Sequence, residues 1–368
     1  MFVDATGIIV ADDKRVHLSE LSRPRALAAV PFAGRYRIID FMLSNMANSG
    51  ITLVGVSTFN KYKSLMDHLG TGSAYDLDRK LQGLHILPPY LTSENYYNES
   101  DDLKGLLDFI SGSRHKYVII GNSTVVFSTD FEDLYNAHEN SDAEITVMYN
   151  HDGARGKETD IILETDDKGR VIDVYSNPEK PVSDKNFLGV MILSKNLMMD
   201  LISDTVSLGV SNLSMELILR KCHKININTY EYNDPVLRIG DIQDYFEASM
   251  MLLNPEVNEA IFWSKDPVYT KVKDEAPAYI ENRSKVHNSL LADGCHIYGR
   301  VCDSILFRGV NTGKNSEVKN SIIFQNTQIG NNVELEYVIV DKDVIIRDGT
   351  RLIGQKEYPV VIGKGAVV

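Results

Sequence analysis

Two carboxylates, an ammonium and a guanidinium stand in a row at Asp12-Asp13-Lys14-Arg15, directly after the apolar run Ile8-Ile9-Val10. That run reads as a buried strand, and Leu18, Leu21 and Leu27 follow as apolar packing positions after a turn. A first strand-to-helix turn that held a nucleotide's phosphates would be glycine-rich, so that backbone N–H groups could approach the anion at a helix N-terminus. Asp12 and Asp13 would repel phosphate oxygens instead. The turn is either a nucleotide site that has been filled in or one that never existed.

A second group of charges is cationic. Arg25, Arg35 and Arg37 cluster within thirteen residues, and Arg308 stands far along the chain, where it could face them across two packed units. The planar guanidinium fork suits phosphate. The cluster therefore reads as an anion or subunit contact, or else Arg35 and Arg37 pair with local carboxylates such as Asp40. Cys222, Cys295 and Cys302 are too few and too irregularly spaced for a disulfide framework or a zinc site.

The elements that must position these groups fall into two grammars. With 368 residues, 43% of them hydrophobic, the chain is long enough for two cored domains or one large one. Its 38 Lys and Arg against 51 Asp and Glu give a formal charge of -13, which works against nonspecific binding to nucleic acid or an anionic membrane. No apolar run approaches the roughly 20 residues that cross a bilayer, and no basic n-region opens the chain, so the expected location is cytoplasmic. Over residues 1–255, strand-like runs (GIIVA, ITLVGVST, YVIIGN, EITVMYN, FLGVMILS) alternate with amphipathic stretches, the pattern of an α/β domain. The stretch IIDFMLSNMANSG reads as a helix ending on Gly50 at C′. EITVMYN through DVYSN reads as antiparallel additions, so the sheet is expected to be mixed. Residues 256–283 read as an extended linker carrying Pro267 and Pro277. From 284 to 368 the tail repeats. Ile323, Ile329, Leu335, Val340, Ile346 and Leu352 are separated by 6, 6, 5, 6 and 6 residues, the signature of a hexapeptide β-helix.

The run AVPFAGRYRIIDFMLSNMANSGI (29–51), with HLGTGSAYDLDR (68–79) and ILPPY (86–90), resembles the bacterial glucose-1-phosphate adenylyltransferases, and the order of the two domains is similar as well. The resemblance implies a nucleotidyltransferase (Rossmann-like) mixed-sheet domain followed by a left-handed β-helix. The family joins glucose 1-phosphate to the α-phosphate of ATP and releases pyrophosphate. That step needs a phosphate cradle, cations for the developing charge and carboxylates for Mg²⁺.

Carried over motif by motif, the resemblance fails where the chemistry lies. The family's Gly-Gly-x-Gly-Thr-Arg-Leu loop falls on Asp12-Asp13-Lys14-Arg15-Val16-His17-Leu18, which keeps only the leucine. The lysine of Ala-Lys-Pro-Ala-Val becomes Leu27, and the metal aspartate of Gly-Asp becomes Asn122. The second metal aspartate, from Arg-Asp-Val-Gly-Thr, becomes Arg238. The adenine-facing glutamine aligns with Phe59, and the Gly-Thr-Ala-Asp-Ala loop with Glu99-Ser100-Asp101-Asp102-Leu103. What survives is Glu179-Lys180-Pro181 and Gly189, either part of a glucose 1-phosphate pocket or, for Glu179 and Lys180, a solvated ion pair. The arginines at 25–37 lie beside the segment where this family binds phosphorylated effectors.

The resemblance is nearest to the regulatory, D-type subunit of glycogen synthesis. It implies no catalytic residue, no metal or cofactor in this chain, with Mg²⁺ held by a catalytic subunit as partner in a heterotetramer, and a phosphorylated sugar as a possible effector. Two other readings stay open. One is an active nucleotidyltransferase using Lys14, Arg15 and Arg238; the other is a stand-alone sugar-phosphate sensor.

Overall fold

The computed structural model describes residues 3–368 except 59–60, 81, 89–100, 179, 181, 208–213 and 264–265, with backbone alone at 101–102. The strand Ala5–Val10 forms because Ala5, Ile8 and Ile9 are apolar on both faces, as strands covered by helices on each side must be. It pairs in parallel with Leu53–Ser57 and with Tyr117–Asn122, and Leu53–Ser57 pairs in parallel with Gly83–Leu87. Asn186–Ser194 then runs antiparallel to Tyr117–Asn122 and carries Ile145–Asn150 and Ile161–Thr165 on its other side. Val171–Ser176 extends the sheet antiparallel, and Ile227–Glu231 extends it parallel. The nine described strands thus make a mixed sheet, as the sequence predicts.

The helix Ile38–Asn48 lies closely on that sheet because two glycines admit it. A Cβ on Gly7 would stand 2.5 Å from Met46 Sδ, and one on Gly121 would collide with Met42 Sδ. In the first turn of the helix the Asp40 carboxylate accepts the Arg37 backbone N–H at 3.0 Å, and the helix ends before Gly50, in the left-handed region at φ 72°. Met42 and Met46 belong to a core shared by the sheet and this helix.

After the helix Pro255–Phe262, capped by Asn254, an extended segment leads to the first β-helix strand, Tyr279–Ile280, slightly ahead of the expected residue 284. Three parallel five-stranded ladders form the prism. Ile323, Ile329 and Leu335 fall on the three ladders in turn, and Val340, Ile346 and Leu352 repeat the cycle one coil later. Lys285, Arg300, Glu317, Glu334 and Arg351 stack in register, so the first coil takes 15 residues and the next three take 17. On another face Val338 stacks on Val360, 22 residues on, with the excess in a turn closed by the Gln355–Tyr358 bridge.

The two units share one core. Phe307, Phe324 and Ile339 of the β-helix pack with Leu18, Phe32, Phe41 and Tyr245 of the α/β unit. The Tyr245 and Phe324 rings meet edge to face at 6.4 Å. Beside them the buried Arg25 guanidinium donates to Asp341 Oδ1 at 3.0 Å.

Candidate functional site

Val10 pairs with Ser57 and Asn122, so the turn after Ala5–Val10 opens at the carboxyl ends of the parallel strands, where α/β sheets bind ligands. The turn is held in place by its own side chains. Asp12 accepts the Leu27 N–H at 3.2 Å and the Thr58 hydroxyl at 2.9 Å, which ties the turn to Leu27, the position that the resemblance aligns with the family's lysine. Asp13 accepts the Arg15 backbone N–H, Nε and Nη2 at 2.8–3.0 Å. Arg15 Nη1 reaches Glu216 at 3.3 Å, on the short helix Met215–Leu219. Pairing with Asp13 outweighs burial and holds the Arg15 guanidinium above its ordinary value. Glu216 in turn accepts Ser176 Oγ at 2.6 Å and Arg220 at 2.9 Å. His17 is exposed, and its backbone bridges to Asp241.

Asn122 and Arg238, the positions that the resemblance aligns with metal aspartates, converge on the start of strand Asn186–Ser194. Asn122 Oδ1 accepts Thr124 N–H at 3.2 Å and Thr124 Oγ1 at 2.9 Å, and its amide lies over Gly189, where a Cβ would collide with it. Gly189 has φ 70°, so the position demands glycine twice over. Arg238 is buried. Its guanidinium donates to Asn150 Oδ1 at 2.6 Å, to the Phe187 and Asn186 carbonyls at 2.9 and 3.2 Å, and to Asp152 at 3.0 Å. Burial lowers its pKa from the ordinary value, with Asp152 opposing. A divalent cation needs free, negatively charged oxygens at these places. It would meet a guanidinium and an amide oxygen already accepting two bonds, so these residues do not fit Mg²⁺.

A further charge network closes this end. Lys157 Nζ lies 2.6 Å from Asp241 and 3.3 Å from Asp244. Burial opposes the Lys157 charge, but these carboxylates outweigh it and the ammonium is held above its ordinary value. Arg155 pairs with Asp160 at 3.0 Å and with Asp244 at 3.5 Å. Of the expected sugar-phosphate residues, Lys180 is exposed, whereas Glu179 lies outside the described residues, as do Phe59 and Glu99-Ser100. Gly189 lies under Asn122, as described above.

A second site lies between the units, in a cleft of about 310 Å³ lined by Arg35, Arg37, Arg308, Lys271, Lys273 and Lys342. Asp67 and Asp343 are the carboxylates in its wall. Arg308 is 8% exposed, and its Nε and Nη2 have no hydrogen-bond partner among the described residues. Burial and the neighbouring Arg35 lower its pKa. A buried guanidinium with unmet donors is costly unless an anion meets them. The Arg37 guanidinium reaches the Ser64 carbonyl at 2.6 Å and Ser64 Oγ at 2.8 Å, while Asp40 takes only its backbone N–H. The Asp40 side chain is occupied by His68 Nε2 at 2.6 Å and the Tyr75 hydroxyl at 2.7 Å. Arg25, expected beside these arginines, is instead committed to Asp341 and the Leu21 carbonyl. The sequence reading missed Lys271, Lys273 and Lys342, which sat in stretches read as linker and as repeat.

Comparison with known proteins agrees with both units. The description "Nucleotidyl transferase" matches residues 6–255, and "GlmU-like, C-terminal hexapeptide" matches residues 273–358. The chain is 37% identical to the glycogen biosynthesis protein GlgD of Bacillus subtilis (strain 168), covering 98% of this chain and 96% of that protein. It is also 37% identical to GlgD of Geobacillus stearothermophilus, over 99% and 96%. To the glucose-1-phosphate adenylyltransferase of Thermosipho africanus (strain TCF52B) it is 31% identical, over 86% and 78%. With the sheet, the β-helix and full-length similarity in agreement, the chain belongs to the nucleotidyl transferase family, among the glucose-1-phosphate adenylyltransferases and their GlgD relatives.

Proposed function

We propose that this chain serves glycogen biosynthesis as a regulatory, non-catalytic subunit of glucose-1-phosphate adenylyltransferase. The observation that carries this reading is the ion pairing of Arg15 and Arg238, at the former phosphate loop and the former metal position, with the chain's own carboxylates. Losing one preorganised stabilising group costs ~10²–10³ in rate. Here the glycine loop, the lysine and both metal aspartates are replaced together. The chain takes no cofactor, and Mg²⁺ is held by a catalytic homologue with which it assembles as a heterotetramer in the cytoplasm. It acts by biasing that partner's conformation, which changes turnover, substrate affinity or effector response. The effector is a phosphorylated sugar, received in the cleft around Arg308.

The test is pyrophosphate release from ATP, Mg²⁺ and glucose 1-phosphate, titrating this chain into a fixed low amount of the same organism's catalytic subunit. The chain alone stays silent, and the titrated rate changes to a plateau at a fixed ratio. Turnover by the chain alone at the partner's rate would overturn the reading. The unmet donors of Arg308 favour a second reading, in which the chain senses a sugar phosphate without a partner. Thermal stabilisation of the isolated chain by glucose 1-phosphate or fructose 1,6-bisphosphate would support it.

A further inference from the structure

The interdomain cleft holds one cation whose counter-charge has been taken by a neighbour. Lys342 follows Asp341 directly, but the Asp341 carboxylate pairs with Arg25 at 3.0 Å and accepts the Lys342 backbone N–H at 2.7 Å. The Lys342 Nζ has no hydrogen bond or ion pair among the described residues, while Asp343 lies 3.9 Å from Lys364. Around the ammonium stand Arg37 and Arg25 from the α/β unit, Asp341 beside it and Lys364 from the following turn of chain. Across the cleft lie Arg35 and Tyr36, then Asp67 and His68 of the helix Lys63–Leu69. Lys271 and Lys273 come from the extended segment, and Arg308 and Asp343 from the β-helix. Two of these groups are already hydrogen-bonded within the protein. His68 is held by Asp40, and Lys271 Nζ is held by the Asp67 carbonyl at 2.8 Å.

Burial, with Arg37 and Arg25 adding repulsion, lowers the Lys342 ammonium to about 7. At neutral pH the free cleft is thus balanced between a charged and an uncharged lysine. A dianion bridging to Arg308 supplies the counter-charge that Asp341 does not.

Resting on the reading of the cleft as an anion site, we propose that an anion binds there together with one proton taken from solvent by Lys342 Nζ, so that the site senses phosphorylated ligand and acidity jointly. The proton adds to the amine and no other bond changes. The coupling follows from linkage: if only the charged lysine meets the anion, affinity falls with the charged fraction of the free chain. Between about pH 6 and about pH 8 that fraction drops about tenfold for a group at about 7.

The probe is inorganic sulfate, which stays dianionic over this range, so that a ligand's own titration does not enter. Sulfate is titrated into the full chain by calorimetry at about pH 6 and about pH 8, in two buffers of different ionisation enthalpy. The expected result is about tenfold weaker binding at the higher pH, with close to one proton taken up there. Lys342→Arg should bind tightly at both values, and Lys342→Gln weakly at both. Wild-type binding that does not change with pH overturns the proposal, as does a Lys342→Gln variant that keeps the tenfold slope, which would move the proton to a group such as His68. Sulfate that fails to bind at either pH overturns the anion reading itself, an outcome distinct from binding without proton uptake.

Discussion

Replacing Arg25 by methionine removes the cation of the buried interdomain pair while keeping most of the side chain's volume. The Arg25 and Asp341 side chains are 4% and 0% exposed and meet at 3.0 Å. Unit charges that close attract by about 5 kcal/mol at an effective dielectric near ~20. That figure is a ceiling, because both groups give up hydration to form the pair. Removing one partner of a buried pair costs ~3–5 kcal/mol, since the survivor stays charged and dry. Asp341 would be that survivor, because its Oδ2 has no partner among the described residues. Lys342 stands next to it and can turn to pair with it, which trims the expected loss to about 2–4 kcal/mol. Urea unfolding followed by far-ultraviolet circular dichroism measures this for Arg25→Met, Asp341→Leu and the double variant. The double variant should be more stable than the sum of the single losses predicts, because no lone charge remains. A loss below about 1 kcal/mol for Arg25→Met, or strict additivity, would show that the pair does not hold the units together.

Three further outcomes follow from the site at the carboxyl ends of the parallel strands. Asn122→Asp with Arg238→Asp restores the metal carboxylates on paper, but pyrophosphate release should stay absent because Asp12 and Asp13 still face the phosphates. The double variant should also be less stable, with Asn150 and the Asn186 and Phe187 carbonyls losing their donor. Gly189→Ala should lower the unfolding free energy by about 1–3 kcal/mol through its clash with Asn122 and its φ of 70°; adding Asn122→Ala should recover the part due to the clash alone. In acid, Asp160 and Asp241 are held below the ordinary carboxylate range: burial opposes this, but Arg155, for Asp160, and the Asp244 N–H with Lys157, for Asp241, outweigh it. A lowered folded value contributes stability that is present above the unfolded value near ~4 and lost as pH falls through the folded one. Asp244, raised chiefly by burial, acts in the opposite sense. Asp160→Asn should therefore flatten the loss of stability seen by denaturant unfolding below about pH 4; an unchanged acid limb counts against the assigned pairing.

Much of this architecture could be read in the sequence because its causes are local. Ile8-Ile9-Val10 is a strand on apolar character alone, Gly50 ends a helix through its φ, and the spacing of Ile323 to Leu352 places each residue on its ladder. The departures from the resembled motifs were also legible, because residue identity alone puts a guanidinium at 238 and an amide at 122. The partners that these side chains take were not. Arg15 and Glu216 are separated by 201 positions, and no pattern in either segment selects the other. Arg25 gave the same difficulty: it was grouped with Arg35 and Arg37, but it meets Asp341, 316 residues away, because the β-helix docks there. Lys271 and Lys273 had the look of a solvated linker, and only the docked geometry turns that linker into a wall of the cleft.

The shared core of Phe307, Phe324, Ile339, Phe32, Phe41 and Tyr245 has a consequence for inheritance as well as for mechanics. A β-helix coil normally needs only its neighbouring coils, which makes such prisms easy to lengthen, shorten or exchange between genes. Here the exchangeable part is limited to the coils that do not touch the α/β unit. Grafting a different prism would strip Tyr245 of its Phe324 partner, and the cost would be felt by the sheet domain as much as by the graft. The two units are therefore expected to melt as one calorimetric event, and to have diverged as a matched pair.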